Sequence, residues 1–277
     1  MDYNTSHFPT WCPGCGDFGI WASLKAAFAK LSLPTHKLAL VYGIGCSGNM
    51  SSFLKGYGFH GLHGRAIPAA AGIKMANHTL HVIVIGGDGD LLGEGLNHLV
   101  TAARANFHLT VILHNNQVYG LTTGQSSPTS LPGSKGKITP KGVIDLPLNP
   151  VSLALISGAT NVIRSFAGDI PQLTKDIITS LNHPGFSLID VLQPCVTFNK
   201  LNTYSWFRQR FKRLDSVPVT LSESLAKAEW ADDSIYLGQF TKRIRPVFTD
   251  QYAFLKQKSL IQADNPRDLT KILESLK

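Results

Sequence analysis

The residues best equipped for chemistry in this 277-residue chain are its four cysteines. Cys12 and Cys15 form WCPGCG, in which proline and glycine force a tight turn that aims both sulfurs at one point. Cys46 follows an apolar run in GIGCSG, and Cys195 follows another in LQPCVTFN. Both stand at carboxyl ends of expected strands, where open α/β sheets place their ligands, so all four can converge on one sheet edge. Four thiolates suit a structural zinc or an iron–sulfur cluster, and their scattered placement favours the cluster. A blander reading leaves Cys46 and Cys195 as small core residues, with only the CxxC pair reactive. Four cysteines are too sparse for a secreted disulfide scaffold, which points to a reducing cytoplasmic setting.

A second constellation lies in VIVIGGDGDLLGEGLNHLVTAARAN, where a Gly-Asp-Gly-Asp turn separates an apolar run from a helical pattern. Glycines there let backbone N–H groups approach a diphosphate, whose charge the helix N-terminus favours. A carboxylate such as Asp88 beside a diphosphate is suited to Mg²⁺, which takes oxygen ligands from a few protein groups and phosphate. The next apolar run ends in ILHNNQVYGLT and brings a second oxygen ligand, Asn116, to the same edge.

The elements that must position these groups are legible as alternating segments. Apolar, β-branched runs at 38–42, 82–85, 109–113, 186–191 and, more weakly, 161–166 read as buried strands. Ala- and Leu-rich stretches at 20–31, 67–77, 94–106 and 170–182 read as helices between them. Such alternation means an α/β fold with a mainly parallel sheet flanked by helices. Residues 122–150 cluster Gly, Pro, Ser and Thr and read as a long, functional loop. Residues 1–200 form the expected main domain; 201–277 form an extension packing on it or on a partner, with one or two amphipathic helices from about Leu221. The chain has no run of about 18 apolar residues and no signal-like N-terminus, so a soluble, cytosolic protein is expected.

The formal net charge of +8 admits nucleic acid, an acidic protein or a phosphate-bearing ligand. Trp206, Phe207, Arg208, Arg210, Phe211, Lys212 and Arg213 interleave aromatic and basic residues just past the last cysteine. That patch suits an acidic protein partner or a phosphate-bearing ligand, or is an ordinary solvated helix face; nucleic acid is the least favoured reading.

In order, WCPGCGDFG, GIGCSGNMSSF, GFHGLHGRAIPAAAGIKMAN, GGDGD, GLNHLVTAARAN and NNQVYGLTTGQSSPTS resemble the β subunit of 2-oxoacid:ferredoxin oxidoreductases, over roughly Pro9 to Cys195. The resemblance implies a thiamine diphosphate-binding fold and, as cofactors, thiamine diphosphate, Mg²⁺ and a 4Fe-4S cluster. It implies Mg²⁺ ligation by Asp88, Asn116 and the Val118 carbonyl, and cluster ligation by Cys12, Cys15, Cys46 and Cys195. Cofactor contacts fall on Ile44, Gly45, Cys46, Ser47, His63, Gly89, Asp90, Gly120 and Leu121. His63 and Arg65 are expected to meet cofactor and substrate carboxylate. Some relatives carry a lysine where this chain has Asn49, whose amide can hydrogen-bond a carboxylate but brings no charge.

The implied reaction decarboxylates a 2-oxoacid oxidatively, with coenzyme A taking the acyl group and ferredoxin the electrons. The glutamate that activates the cofactor belongs, in this family, to another subunit. An α (or α and γ) partner is therefore expected, as a heterodimer or a dimer of heterodimers. Two alternatives remain at this point. A non-redox thiamine-dependent decarboxylase or synthase would leave the cysteines incidental. A zinc-stabilised nucleic-acid-binding protein would leave the GDG and NN motifs unexplained.

Overall fold

The computed structural model describes residues 2–136, 138–230, 233–256, 258–262 and 270–275. One eight-stranded sheet organises the chain. Its five central strands are β1 (Leu38–Tyr42), β3 (His81–Gly87), β4 (Thr110–Asn115), β5 (Asn161–Phe166) and β6 (Ser187–Leu192), parallel to one another. They are buried almost throughout, as parallel strands covered on both faces must be. The order is β2-β1-β3-β4-β6-β5-β8-β7, with β2 (Tyr57–His60) on one edge and β7 (Phe211–Arg213) outside β8 (Ile235–Lys242) on the other.

One face packs α2 (Ala66–Ala76), α3 (Leu96–Ala105), α4 (Pro150–Ile156) and α7 (Leu221–Ala228) over Val41, Val84, Val111, Val162 and Leu188. The opposite face packs α1 (Asp17–Lys30) and α5 (Ile170–Leu181) over Leu40, Ile83, Ile112, Ile163 and Ile189. Alternate residues of each strand thus serve opposite cores, which is why the runs are continuously apolar rather than alternating.

The expected strands and helices all form, with ends shifted by a few residues. Several elements were not legible. β2 is exposed at every position and carries no burial signature. α4 begins at Pro150, where Asn149 caps Val151 and Ser152 at the end of the long loop. The described tail corrects the purely helical expectation: after α7 it returns as β8, antiparallel to β5, with β7 beside it. The physical reason is that β5 would otherwise present an open edge, and Ile235, Leu237 and Phe240 have apolar surface to bury against the sheet. α6 (Tyr204–Arg210) packs with β7 and β8 through Phe166, Leu192, Phe207, Ile235 and Leu237. Residues 231–232, 257, 263–269 and 276–277 of the expected extension lie outside the described residues. No described helix is long and apolar enough to cross a membrane.

Candidate cofactor and cluster site

A pocket opens at the carboxyl ends of β1, β3 and β4. Its walls are Ile44–Ser47 after β1, Gly87–Asp90 after β3, Asn116 and Val118–Thr122 after β4, with His63 closing one side. β2 lies to one side of β1 and β3 to the other, so the chain reverses direction across the sheet here, at a topological switch point. The GDG turn continues from β3 as a π-helical turn, Gly89–Glu94, a rare geometry that concentrates at functional sites. Gly89 is required by packing: a Cβ there would sit 2.2 Å from the Tyr119 ring.

Asp88 is buried at the floor, and burial raises its carboxyl to about 6 even though hydrogen bonds from Ser127 and Thr129 pull the other way. Its Oδ2 accepts from the Gln117 backbone N–H at 3.1 Å, from the Ser127 hydroxyl at 2.5 Å and from the Thr129 hydroxyl. One carboxylate oxygen is thereby fully engaged, which leaves Oδ1 for a cation. Gln117 adopts a left-handed conformation, φ 60°, uncommon for a non-glycine residue. It is held by the Ser130 hydroxyl on its carbonyl (2.6 Å) and by its own amide on the Thr129 carbonyl (3.1 Å). That kink turns Asn116 and Val118 toward the pocket.

Asp90 joins the walls. Its Oδ1 accepts from the Ile44 N–H at 3.0 Å and the Gly64 N–H at 2.8 Å, and lies 3.0 Å from His63 Nδ1, off the direction of a hydrogen bond. Ser47 contributes a buried hydroxyl with no protein partner. An unsatisfied buried donor on a pocket wall fits an anionic ligand.

The cysteines gather behind the same wall. All four are free thiols, Cys12 exposed, Cys46 half-buried, Cys15 and Cys195 buried. A Cβ on Gly120 would lie 3.5 Å from Cys46 Sγ and 3.6 Å from Cys195 Sγ, so Gly120 joins the pocket wall, to which Cys46 also belongs, to the sulfurs. Trp11 ties the CPGC turn to the Cys46 loop by donating its indole N–H to the Cys46 carbonyl at 2.7 Å. Burial pushes the Cys46 thiol up to about 12 and the Cys15 thiol further still, with the Asp17 charge adding to both. Such thiols stay protonated at neutral pH unless a metal holds them as thiolates. Among the described residues no three His, Cys, Asp or Glu side chains gather around a single-ion position.

His63 therefore joins the pocket, whereas Asn49 and Arg65 stand off its lining. Asn49 faces a shallow surface hollow with His7, Phe8 and Thr10, and Arg65 donates to the Glu94 carbonyl at 2.9 Å. Four residues went unnoticed in the sequence. Ser127 and Thr129 lie in the hydroxyl-rich loop, and nothing local links them to Asp88. Asp17 reads as a helix-start acid, yet it is buried against His114 Nδ1 (2.6 Å) and Cys15 Sγ (3.3 Å). His114 sits within a strand and offered no signal at all.

Residues 41–191 match the thiamine pyrophosphate enzyme C-terminal TPP-binding domain, and residues 195–257 match the C-terminal family of the pyruvate ferredoxin oxidoreductase β chain. Fold and pocket thus define a thiamine diphosphate-binding subunit. The β subunit of 2-oxoacid:ferredoxin oxidoreductase from Saccharolobus solfataricus is 48% identical over 227 residues, covering 81% of this chain and 74% of that one. The 2-oxoglutarate synthase subunit KorB of Archaeoglobus fulgidus is 35% identical over 92% of this chain and 93% of its own length. The structure of 2-oxoglutarate:ferredoxin oxidoreductase from Magnetococcus marinus, with 2-oxoglutarate, coenzyme A and succinyl-CoA bound, superposes with a TM-score of 0.92. Its identity is 35%, covering 100% of this chain and 95% of that one. The chain belongs to the β subunits of 2-oxoacid:ferredoxin oxidoreductases.

Proposed function

We propose that this subunit holds thiamine diphosphate and Mg²⁺ in the pocket and a 4Fe-4S cluster on its four cysteines. With an α (or α and γ) subunit it converts a 2-oxoacid, coenzyme A and two oxidised ferredoxins to acyl-CoA, CO₂, two reduced ferredoxins and a proton. The observation that carries this reading is that Cys46 and Gly120 both line the pocket, while Gly120 also lies against the Cys46 and Cys195 sulfurs. Electrons released in the pocket therefore have little distance to cross to the sulfurs.

Asp88 and Asn116 would hold Mg²⁺ through side-chain oxygens and Val118 through its carbonyl, an oxygen set that suits this hard cation. Ile44, Gly45, Ser47, Gly89 and Leu121 would line the diphosphate and ring, and the Ser47 hydroxyl would donate to the bound anion. When bound, thiamine diphosphate supplies the electron sink for loss of CO₂. Asp90 ties the Ile44 and Gly64 backbone together on the wall beside His63. Asn49 and Arg65 stand off the lining and would reach the substrate only from outside this pocket.

The pocket holds about 90 Å³, against the roughly 300–1,000 Å³ of typical cofactor sites, which supports a site completed by another chain. No glutamate lines the pocket among the described residues, which supports an activating glutamate supplied by that partner. Two αβ units related by symmetry make the assembly, and the four reduced thiols suit the cytoplasm.

Anaerobic purification followed by an absorbance spectrum and iron, sulfide and zinc analysis tests the reading. About four irons per chain with broad visible absorption is expected for a four-cysteine cluster. A colourless protein with bound thiamine diphosphate would favour the non-redox decarboxylase instead.

A further inference from the structure

The basic stretch after Cys195 lies directly over the CPGC turn. Tyr204, at the start of α6, donates its hydroxyl to the Gly14 carbonyl at 3.2 Å, between the two cysteines of the motif. Arg208, one helical turn on, lies 5.8 Å over the Tyr204 ring. From the other side, Lys200 donates to the carbonyl of Val196 at 2.6 Å, the residue after Cys195. The Val196 side chain packs 3.8 Å from the point where a Gly14 side chain would begin. Two cations thus flank the turn that carries Cys12, the one exposed cysteine.

Charge bookkeeping around this turn leaves a net positive rim. Asp169 is taken by Arg213 at 2.5 Å, and Asp233 by Arg210 at 3.5 Å. Asp17, the acid nearest the sulfurs, is buried and bound to His114. Lys200, Arg208 and Lys212 are exposed and have no carboxylate partner among the described residues. Phe198 and Leu201 present exposed apolar surface beside Lys200, at 36% and 44% exposure. Apolar contacts ringed by unpaired cations match a transient docking surface for an acidic protein, with steering from the +8 net charge.

We infer that Lys200, Arg208 and Lys212, with Phe198 and Leu201, form the docking surface for a small acidic one-electron carrier protein that approaches the cluster at Cys12. The inference rests on the function proposed above. The carrier meets the protein where the sulfurs come closest to solvent, and the cations hold it there only briefly, because exposed pairs are weak and screened by salt.

The test uses the assembled enzyme with the double substitution Lys200→Glu and Arg208→Glu. Binding of an oxidised, acidic ferredoxin is measured by titration calorimetry at low and high salt, and reduction of methyl viologen is measured alongside. The ferredoxin Kd is expected to rise at least about tenfold at low salt and to lose its salt dependence, a shift typical of reversed rim charges. Viologen reduction stays close to that of the unaltered enzyme, because the dye needs no docking surface. The milder Lys200→Gln and Arg208→Gln pair shifts the Kd in the same direction by less. An unchanged ferredoxin Kd would overturn the surface, as would failure of both variants to assemble, which would mark the patch as an interface between α and β. Absence of viologen reduction in the unaltered enzyme would instead overturn the proposed function, and this surface with it.

Discussion

Asp88 concentrates the residue-scale argument, because one buried carboxylate must carry the cation. Asp88→Ala is expected to abolish Mg²⁺-dependent retention of thiamine diphosphate in a calorimetric titration; normal retention would remove Asp88 from its role. Ser127→Ala with Thr129→Val leaves the carboxylate in place but frees Oδ2 to rotate. Mg²⁺ affinity should fall about 10- to 100-fold, the range for outer-shell partners of a metal ligand. These hydroxyls lie 39 and 41 residues from Asp88, so no local spacing connects them to it. Asp88, Asn116, Cys46 and Cys195 were legible because each sits at a strand end, where chemistry and position coincide, and Cys12 and Cys15 because the CxxC spacing joins them in one turn. The hydroxyls were not, because a Ser/Thr-rich loop has many uses and only the folded chain shows which carboxylate it serves.

At the scale of elements, the strands announce themselves through unbroken apolar runs, while β2 and β8 depend on neighbours that no local window contains. One buried ion pair binds the elements laterally. Arg164 on β5 and Asp190 on β6 are direct cross-strand neighbours, joined at 3.0 Å, and both are fully buried. Arg164 also donates to the Ala228 carbonyl at the end of α7 and to Asn149, the cap of α4, while Asn115 on β4 donates to Asp190. Arg164→Met strands a buried carboxylate and should destabilise by about 3–5 kcal/mol in chemical denaturation, whereas adding Asp190→Leu should recover most of it. His108, in the turn between α3 and β4, is depressed to about 4, first by burial and then by nearby Lys74. Below about pH 6.5 the unfolded chain takes up that proton while the folded one refuses it, so stability falls until about pH 4. The loss is on the order of 2–3 kcal/mol, and His108→Gln should flatten the profile of unfolding midpoint against pH over that window.

At the scale of the whole molecule, the sheet is one continuous layer from β2 to β7, and the segment after residue 200 joins it through β8 and β7. The change of texture is real, but it marks a change from fully buried parallel strands to an edge, β8 and β7, that is only partly buried. β8 is the element that makes this matter. Residues 161–166 leave the ribosome well before residues 235–242, so during synthesis the β5 edge stands open with its backbone groups unpaired. Such an edge is a template for pairing with other chains. Only when the last quarter of the chain emerges does β8 seal it. The tail thus acts in time as well as in space: it shields the growing protein from its own copies, and a chain cut short before residue 235 would be sticky long before it could be catalytic.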